Sequence, residues 1–559
     1  MRSAGNGDID LIVLGSGAAG LTAALVAAEL GLKCLVLEHA HAIGGTSARS
    51  SGTIWVPGSH HLEAAGIRGD REAAGRYLAS LVAGRGDETM WRAFLDNAPR
   101  MLRDIETMLE FSFRPFMVAP DYRQDHDGAA TGGRPLEPPP FDGRELGGDF
   151  ARLAAPLPEL MLFGGMMVTR AEAAALLGAA HSPRSALLAA RLVGRYVRDR
   201  LTHPRGTRLV MGNGLVARLL AGCRKRGVGI LTGAAPRRLL REGAAVAGVA
   251  FSHDATEHEV RARRGVVLAG GGYPASPRWR AEQLPHPVAQ HTPAAPGCDG
   301  STIELALEAG AALGPAGRDN ALWFPSSIMT RRDGSTAVWP HIVLDRARPG
   351  LIAVNPEGRR FVNEAVSYHE FVRAMYADDA AHAWLICGRP FIRRYGLGLI
   401  RPFTPSLGRY VADGYLKRAG TVAGLAVSTG TAPDILAATL ERWNAGARTG
   451  RDADFGKGQS AYDRAGGDAS HRPDPCIGPV EGPPFFAVQV FATPLGTSRG
   501  LRTDAQARVL DGSGLPIAGL YACGNDMHSV FGGEYPGAGA QLGPAMAFGW
   551  VAARSAAHR

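Results

Sequence analysis

The stretch from Ile9 to Glu38, IDLIVLGSGAAGLTAALVAAELGLKCLVLE, constrains the chain most. Ile9 to Leu14 is short and continuously apolar and predicts a buried strand. It breaks on Gly15-Ser16-Gly17-Ala18-Ala19-Gly20, a GxGxxG, and an Ala/Leu run then predicts a helix to about Leu30. Gly31 stands where a helix C-terminus favours positive φ. Lys33 to Leu37 predicts a second apolar strand, with Glu38 at its end. In that order each part has a physical job. Gly15 allows the tight turn, Gly17 lets a pyrophosphate approach the backbone, and Gly20 lets the helix pack closely on the strand. The helix N-terminus offers free N–H groups to phosphates, and Glu38 can accept hydrogen bonds from a ribose. The stretch therefore predicts a dinucleotide site.

At 559 residues the chain has room for more than one domain and a large core. Hydrophobic content of 45% and charged content of 20% are those of a globular protein. The formal net charge is +9, but lysine occurs only at Lys33, Lys225, Lys417 and Lys457, so most cations are arginines. They are scattered, with no accompanying nucleic-acid motif, and no nucleic-acid function is expected. Cys34, Cys223, Cys298, Cys387, Cys476 and Cys523 are far apart and form no CxxC. They read as reduced structural thiols of a cytoplasmic protein, and no metal site is expected. The first residues pass straight into the strand, so no signal peptide is expected. No apolar run of about 18 residues predicts a membrane span.

After Glu38, Gly45, Thr46, Ser47, Ser51 and Gly52 form a second loop of glycines and hydroxyls, which continues along the same cofactor towards its reactive end. Residues 71–113 read as helical, with Trp91, Phe94, Leu95, Met101, Leu102, Ile105 and Leu109 facing a core. A Gly/Pro/Asp-rich loop follows, and then a helix from about Ala180 to Leu201. There Arg184, Arg191, Arg195 and Arg198 form a stripe opposite Leu192, Val193, Tyr196 and Val197. A solvated face packed on the core is the expectation for this helix, with membrane contact at most peripheral. The strand from Gly265 to Ala269 runs into Gly270, where ligands meet a sheet edge. No helix with a GxGxxG follows it, so no second dinucleotide site is expected. Past residue 280 the α/β rhythm is interrupted, and strands resume near Phe486. Gly519 to Asn525 is a strand ending in a polar turn, and Pro544 suits the first turn of a final helix. The fold class expected is α/β. One nucleotide-binding domain takes residues 1–280, with a loop and helical insert at about 115–205, and residues 486–559. An inserted α+β substrate domain takes residues 281–485.

At this point the residues carry a resemblance. The stretches GSGAAG…VLE, GGTSARSSGTIWVPG, MGNGLVARL, GVVLAGGGY, GCDGSTIELALEAGA, VNPEGRRFVNE…Y, DFGKGQSAYDRAGGD, PLGTSRGLRTD, GLYACGN and YPGAGAQLGPAMAFGWVAA occur in order along most of the chain. They resemble the flavoproteins grouped around fumarate reductase and, more closely, the 3-ketosteroid Δ1-dehydrogenases. The resemblance implies a Rossmann-like domain with non-covalent FAD, held by the two glycine loops and by Ala269, Gly270, Gly524, Asn525, Gln541 and Leu542. It also implies desaturation of a cyclic ketone beside the carbonyl. That chemistry needs donors on the developing enolate oxygen, a base at the α-proton and a hydride acceptor at the β-carbon. By resemblance, the Tyr535 hydroxyl and Gly539 N–H hold the ketone oxygen and Tyr368 takes the α-proton, assisted by Tyr122 or His126.

The rival readings are an ene-reductase of the fumarate-reductase type and a binding module without redox use. The first needs arginines for carboxylates, and that family's final helix begins with one where this chain has Gln541-Leu542-Gly543. Arg359 and Arg360 remain available to it. Steroid and other cyclic ketones stay open as substrates, because Trp323, Phe324, Trp339 and the 115–205 insert shape the pocket. With no second nucleotide fold, the expected electron acceptor is a quinone or another non-nicotinamide compound.

Overall fold

A computed structural model describes residues 9–177, 182–342 and 345–559. The first eight residues, and the start of the helix expected from Ala180, lie outside the described residues. The first sheet is centred on the strand Leu11–Leu14. Cys34–Glu38 pairs with it in parallel on one side and Gly265–Leu268 on the other. Gly229–Thr232 extends the sheet beyond the former, and Pro516–Ala522 beyond the latter, both parallel. Arg508–Leu510 closes that edge antiparallel. The central strands are apolar throughout because both faces are covered. The helices Ala18–Glu29, Met211–Lys225 and Leu542–Ala557 pack together on one side. The helix Ala18–Glu29 buries every residue from Ala18 to Ala27, as expected of a helix that is hydrophobic all round. The antiparallel meander Ala235–Glu242, Ala245–His253 and Thr256–Arg261 packs against Gly265–Leu268 and Pro516–Ala522.

The expected helical region is two helices, Asp70–Val82 and Glu88–Leu109, broken before Asp87, which caps the second by accepting from the Thr89 N–H at 2.8 Å. Trp91, Phe94, Leu95, Met101, Leu102 and Ile105 are buried as the periodicity requires. In the insert, the helix Pro183–Arg200 differs from expectation. Asp199 is its one buried residue, Leu192, Val193 and Tyr196 are half-buried, and Leu187 and Val197 are exposed. It packs chiefly on the short helix Arg170–Leu177 rather than on the core.

A second sheet, wholly antiparallel, orders its strands Thr336–Pro340, Ala321–Thr330, Phe485–Thr497, Ala383–Gly388 and Leu351–Val354, with Leu416–Ala419 also on Phe485–Thr497. This corrects the reading of the strand that begins near Phe486. It does not return the chain to the first sheet but forms the centre of the second. One half pairs with Ala383–Gly388 and the other with Ala321–Ser326. Its long apolar pattern reflects these neighbours, and the chain rejoins the first sheet only at Arg508.

Candidate active site

At the end of the first strand, packing inside the protein explains two of the three fingerprint glycines. A Cβ on Gly15, whose φ is +105°, would lie 2.3 Å from the Ala269 carbonyl oxygen, and one on Gly20 would lie 2.1 Å from that of Gly15. Gly17 is different. Its φ of −67° suits any residue, and its Cβ would meet only the Ser47 hydroxyl, at 3.4 Å. No protein atom demands a glycine there, so the open side at the helix N-terminus fits a group such as a pyrophosphate. Ser47 also accepts from the Ala18 N–H at 3.0 Å, joining the second glycine loop to that helix.

The Glu38 carboxylate braces these loops. It accepts from the Ser16 N–H at 2.9 Å, the Ser16 hydroxyl and the Ala40 N–H at 2.9 Å. Ser16 in turn accepts from the Gly44 N–H at 3.0 Å. Of about four acceptor positions on a carboxylate, one is left for a ribose. In the hydroxyl loop, Thr46 accepts from the Ala295 N–H at 2.9 Å, and Ser51 from the Thr53 N–H at 3.4 Å. Gly45 has a φ of +49° and Gly52 one of +70°. Asp526, which sequence reasoning passed over, is fully buried and accepts from the Gly270 and Gly272 N–H groups at 2.6 and 2.8 Å. Burial pushes its carboxyl above the usual range. Its position directly after Asn525 in the polar turn was the available signal.

A cleft between the two sheets is lined by Leu322, Thr497, Gly524, Asn525, Gln541 and Ala545. Gln541 links its wall to the tyrosines, accepting from Asn525 at 3.4 Å and donating to the Tyr535 hydroxyl at 3.1 Å. Leu542 is the first residue of the final helix, and Pro544 falls in its first turn.

Three buried tyrosines from distant parts of the chain meet here. The Tyr122 and Tyr368 hydroxyls are 2.7 Å apart. Tyr122 stacks on Tyr535 at 5.4 Å between ring centroids, while Tyr368 stands edge-on to Tyr535 at 5.3 Å. Tyr462, inside the DFGKGQSAYDR stretch but not singled out from sequence, packs on Tyr122 at 4.9 Å. Phe324 packs edge-on against Tyr368 at 4.3 Å. The alternative partner His126 lies elsewhere, with its Nδ1 2.7 Å from the Ser80 hydroxyl. Of these two, Tyr122 is the one whose hydroxyl meets that of Tyr368.

The backbone supports this arrangement. The Tyr122 N–H and the Tyr77 hydroxyl both donate to the Pro536 carbonyl, at 2.9 and 2.8 Å. Asp121, buried and ion-paired with Arg134, accepts from the Trp55 indole at 2.9 Å. Gly539 has a φ of +90° and packs on the backbone of Thr53 to Trp55, and its N–H has no protein acceptor among the described residues. Burial raises the Tyr368 phenol well above its ordinary range and raises Tyr535 too, although hydrogen bonds from Tyr368 and Gln541 oppose the shift on Tyr535. Tyr535 is therefore a neutral donor at physiological pH. His369, whose ring is 5.8 Å from that of Tyr535, is held well below the ordinary imidazole range by burial and by Arg373. Arg360 is spent on Glu364 and Asp452, and Arg359 is exposed. One trio of metal-type side chains, His60, His61 and Glu106, comes together among the described residues. Its carboxylate is satisfied by both imidazoles and by the Phe113 N–H at 2.6 Å.

Residues 10–542 match the family model of the FAD binding domain. The chain is 36% identical to 3-oxosteroid 1-dehydrogenase of Mycobacterium tuberculosis over 98% of each chain. It is 34% identical to 4-oxocyclohex-2-ene-1-carboxylate 5-dehydrogenase of Sinomonas cyclohexanicum over 98% of this chain and 93% of the relative. Its fold superposes on the crystal structure of 3-ketosteroid Δ1-dehydrogenase from Sterolibacterium denitrificans, in complex with 1,4-androstadiene-3,17-dione. The TM-score is 0.92 and the identity 36%, over 98% of this chain and 99% of the other. The chain belongs to the 3-oxosteroid 1-dehydrogenase family of flavoproteins and is an FAD-dependent oxidoreductase acting on CH–CH groups.

Proposed function

We propose that the enzyme introduces an α,β (Δ1-type) double bond into a 3-oxosteroid or a related cyclic ketone. The observation that carries this reading is the meeting of Tyr122, Tyr368 and Tyr535 beside the cleft that ends at Gln541. The Tyr535 O–H and Gly539 N–H hold the ketone oxygen and stabilise negative charge as the enolate develops. Tyr368 takes the α-proton, and Tyr122, in hydrogen-bond contact, carries protons to and from it. Bound FAD supplies the hydride acceptor for the β-carbon. The aromatic surroundings of Tyr535 favour a neutral substrate over succinate or fumarate.

FAD is held non-covalently by Gly15 to Gly20, Glu38, Gly45, Thr46, Ser47, Ser51, Gly52, Ala269, Gly270, Gly524, Asn525, Gln541 and Leu542, so acid precipitation should release it intact. The glycines give a sharper expectation. Gly20→Ala, with its 2.1 Å clash, should lower the melting temperature of the apoprotein. Gly17→Ala should leave that temperature unchanged or slightly higher, yet weaken FAD retention about tenfold or more, because its methyl stands where the pyrophosphate approaches. Equal FAD affinity in Gly17→Ala and wild type would move the phosphates elsewhere.

Anaerobic mixing tests the reaction. 3-Oxosteroids should bleach the flavin fastest, 4-oxocyclohexanecarboxylate more slowly and succinate not at all. Bleaching by succinate alone would sink the reading. Reoxidation in the same cell should proceed with a quinone and not with NAD(P)+, since Gly270 to Gly272 leads into irregular chain rather than a phosphate-binding helix. The six buried, unpaired cysteines support a cytoplasmic enzyme, and no described helix is long and apolar enough to cross a membrane. Cell fractionation should find it unanchored, with at most a salt-removable association with membranes through the basic helix Pro183–Arg200.

A further inference from the structure

A groove of about 700 Å³ runs beside the C-terminal end of the helix Glu88–Leu109, with His60, Arg103 and Glu106 on its wall. The ketone chemistry uses none of them. His60 and His61 open the short helix His60–Ala64, and consecutive helical residues point about 100° apart, so their side chains do not ordinarily face one target. Here they converge. His60 Nε2 lies 2.9 Å from one oxygen of the Glu106 carboxylate, and His61 Nε2 lies 2.7 Å from the other. The ring centroids are 4.0 Å apart, and one ligand atom from each of the three side chains falls within 4.8 Å of the other two.

The carboxylate is fixed from behind, where Glu106 Oε1 accepts from the Phe113 N–H at 2.6 Å. Such an outer contact orients a ligand before a metal arrives. His60 Nδ1 has no protein partner, so moving the imidazole proton from Nε2 to Nδ1 breaks no hydrogen bond there. That shift turns Nε2 from a donor into a ligand. Tetrahedral coordination with bonds of about 2.0–2.2 Å spaces ligand atoms roughly 3.4 Å apart, so the two N···O contacts need to open by roughly half an ångström. Both imidazoles are half-buried rather than locked in the core, which permits that movement. Arg103 is 55% exposed and faces Glu63 at 3.8 Å, so water and that carboxylate screen its charge from the cluster.

We propose that His60, His61 and Glu106 form a site for one divalent ion of the zinc class, with its fourth position open to the groove and taken by water or a small anion. Two imidazole nitrogens and one carboxylate oxygen are a ligand set that zinc and its transition-metal neighbours favour, whereas calcium and magnesium take oxygen. The bound ion joins the helix His60–Ala64 to the helix Glu88–Leu109, whose Phe94 stacks on Trp55 at 6.1 Å. Its effect is therefore expected on stability rather than on the flavin reaction. No metal-ligand spacing marks these residues in the sequence, because His61 and Glu106 are 45 positions apart and only the fold brings them together.

Flavin-loaded enzyme, first treated with a chelator and then titrated with Zn²⁺ against a chromophoric competitor, tests the site. Wild type should take one equivalent and gain melting temperature on saturation. His60→Ala, at the most exposed of the three positions, should keep its FAD and bind that equivalent at least about tenfold more weakly, with no gain in melting temperature. Glu106→Gln keeps an acceptor for the Phe113 N–H while losing the charged ligand, and should fail in the same way. His558→Ala, at an exposed position, should bind as wild type does and controls for adventitious binding by the other histidines. Excess Mg²⁺ should not displace the Zn²⁺. Wild type that binds no Zn²⁺ would overturn the proposal. So would His60→Ala that binds as tightly and gains as much in melting temperature, or His558→Ala that loses the equivalent. If Glu106→Gln does not accumulate with flavin, His60→Ala decides. None of these readouts depends on which ketone bleaches the flavin.

Discussion

Tyr535→Phe should retain FAD and fold normally, yet lose about 10²- to 10³-fold in the rate at which a ketone bleaches the flavin, the usual effect of deleting one preorganised oxyanion donor. The substitution removes a single oxygen. The stack on Tyr122 at 5.4 Å and the edge contact with Tyr368 at 5.3 Å survive, so the aromatic cluster keeps its shape. What is lost is a phenol that burial keeps protonated and that accepts from Gln541 at 3.1 Å. With its oxygen engaged by that amide, its hydrogen is directed elsewhere, which suits donation to a ketone. The Gly539 N–H remains, so residual activity should exceed that of a variant lacking the base. Stopped-flow reduction under anaerobic conditions gives the number, and an unchanged rate would remove Tyr535 from the mechanism.

The nucleotide end was legible because its determinants are local. Strand, glycine turn, helix and acid lie within thirty residues, and close packing accounts for two of the glycines, Gly15 and Gly20. Glu38, expected as a ribose acceptor, braces Ser16 and Ala40 in the structure. The reactive end was legible only through motif resemblance. Tyr122 and Tyr368 are 246 residues apart in sequence, and no periodicity shows that their hydroxyls meet at 2.7 Å. Nor could the loop around Tyr122 distinguish it from His126. The place of Tyr122 beside Tyr368 depends on the Tyr122 N–H bonding to Pro536 and on Asp121 being held by Arg134 and Trp55, all contacts between distant segments.

The strand Phe485–Thr497 was misassigned for a related reason. A strand's own residues report that it is buried, not which sheet buries it. Pairing with Ala321–Ser326 and Ala383–Gly388 is decided by partners 97 to 176 residues earlier. The helix Pro183–Arg200 shows the opposite failure: its sequence is amphipathic, but the fold presents little core for it to cover.

Tyr368→Phe should have the larger effect, a loss of about 10²- to 10⁴-fold in flavin reduction by ketones, the range for a positioned general base. It should also abolish exchange of the ketone's α-hydrogen with deuterium from solvent, which Tyr535→Phe should only slow. The pH dependence carries the sign. A free phenol titrates near 10, and burial raises Tyr368 above that, with Tyr122 and Tyr535 adding to the shift. Below such a value the ionised fraction grows about tenfold per pH unit, so kcat/KM of the wild type should climb through neutrality into the alkaline range without levelling. Proton release through Tyr122 is the route by which the phenol reaches that form, given the 2.7 Å contact. In Tyr368→Phe the climb should vanish along with the activity, while FAD binding and the melting temperature stay near wild type. A wild-type profile that is flat from neutral to alkaline pH, or a Phe variant that still exchanges deuterium at the wild-type rate, would place the base on another residue.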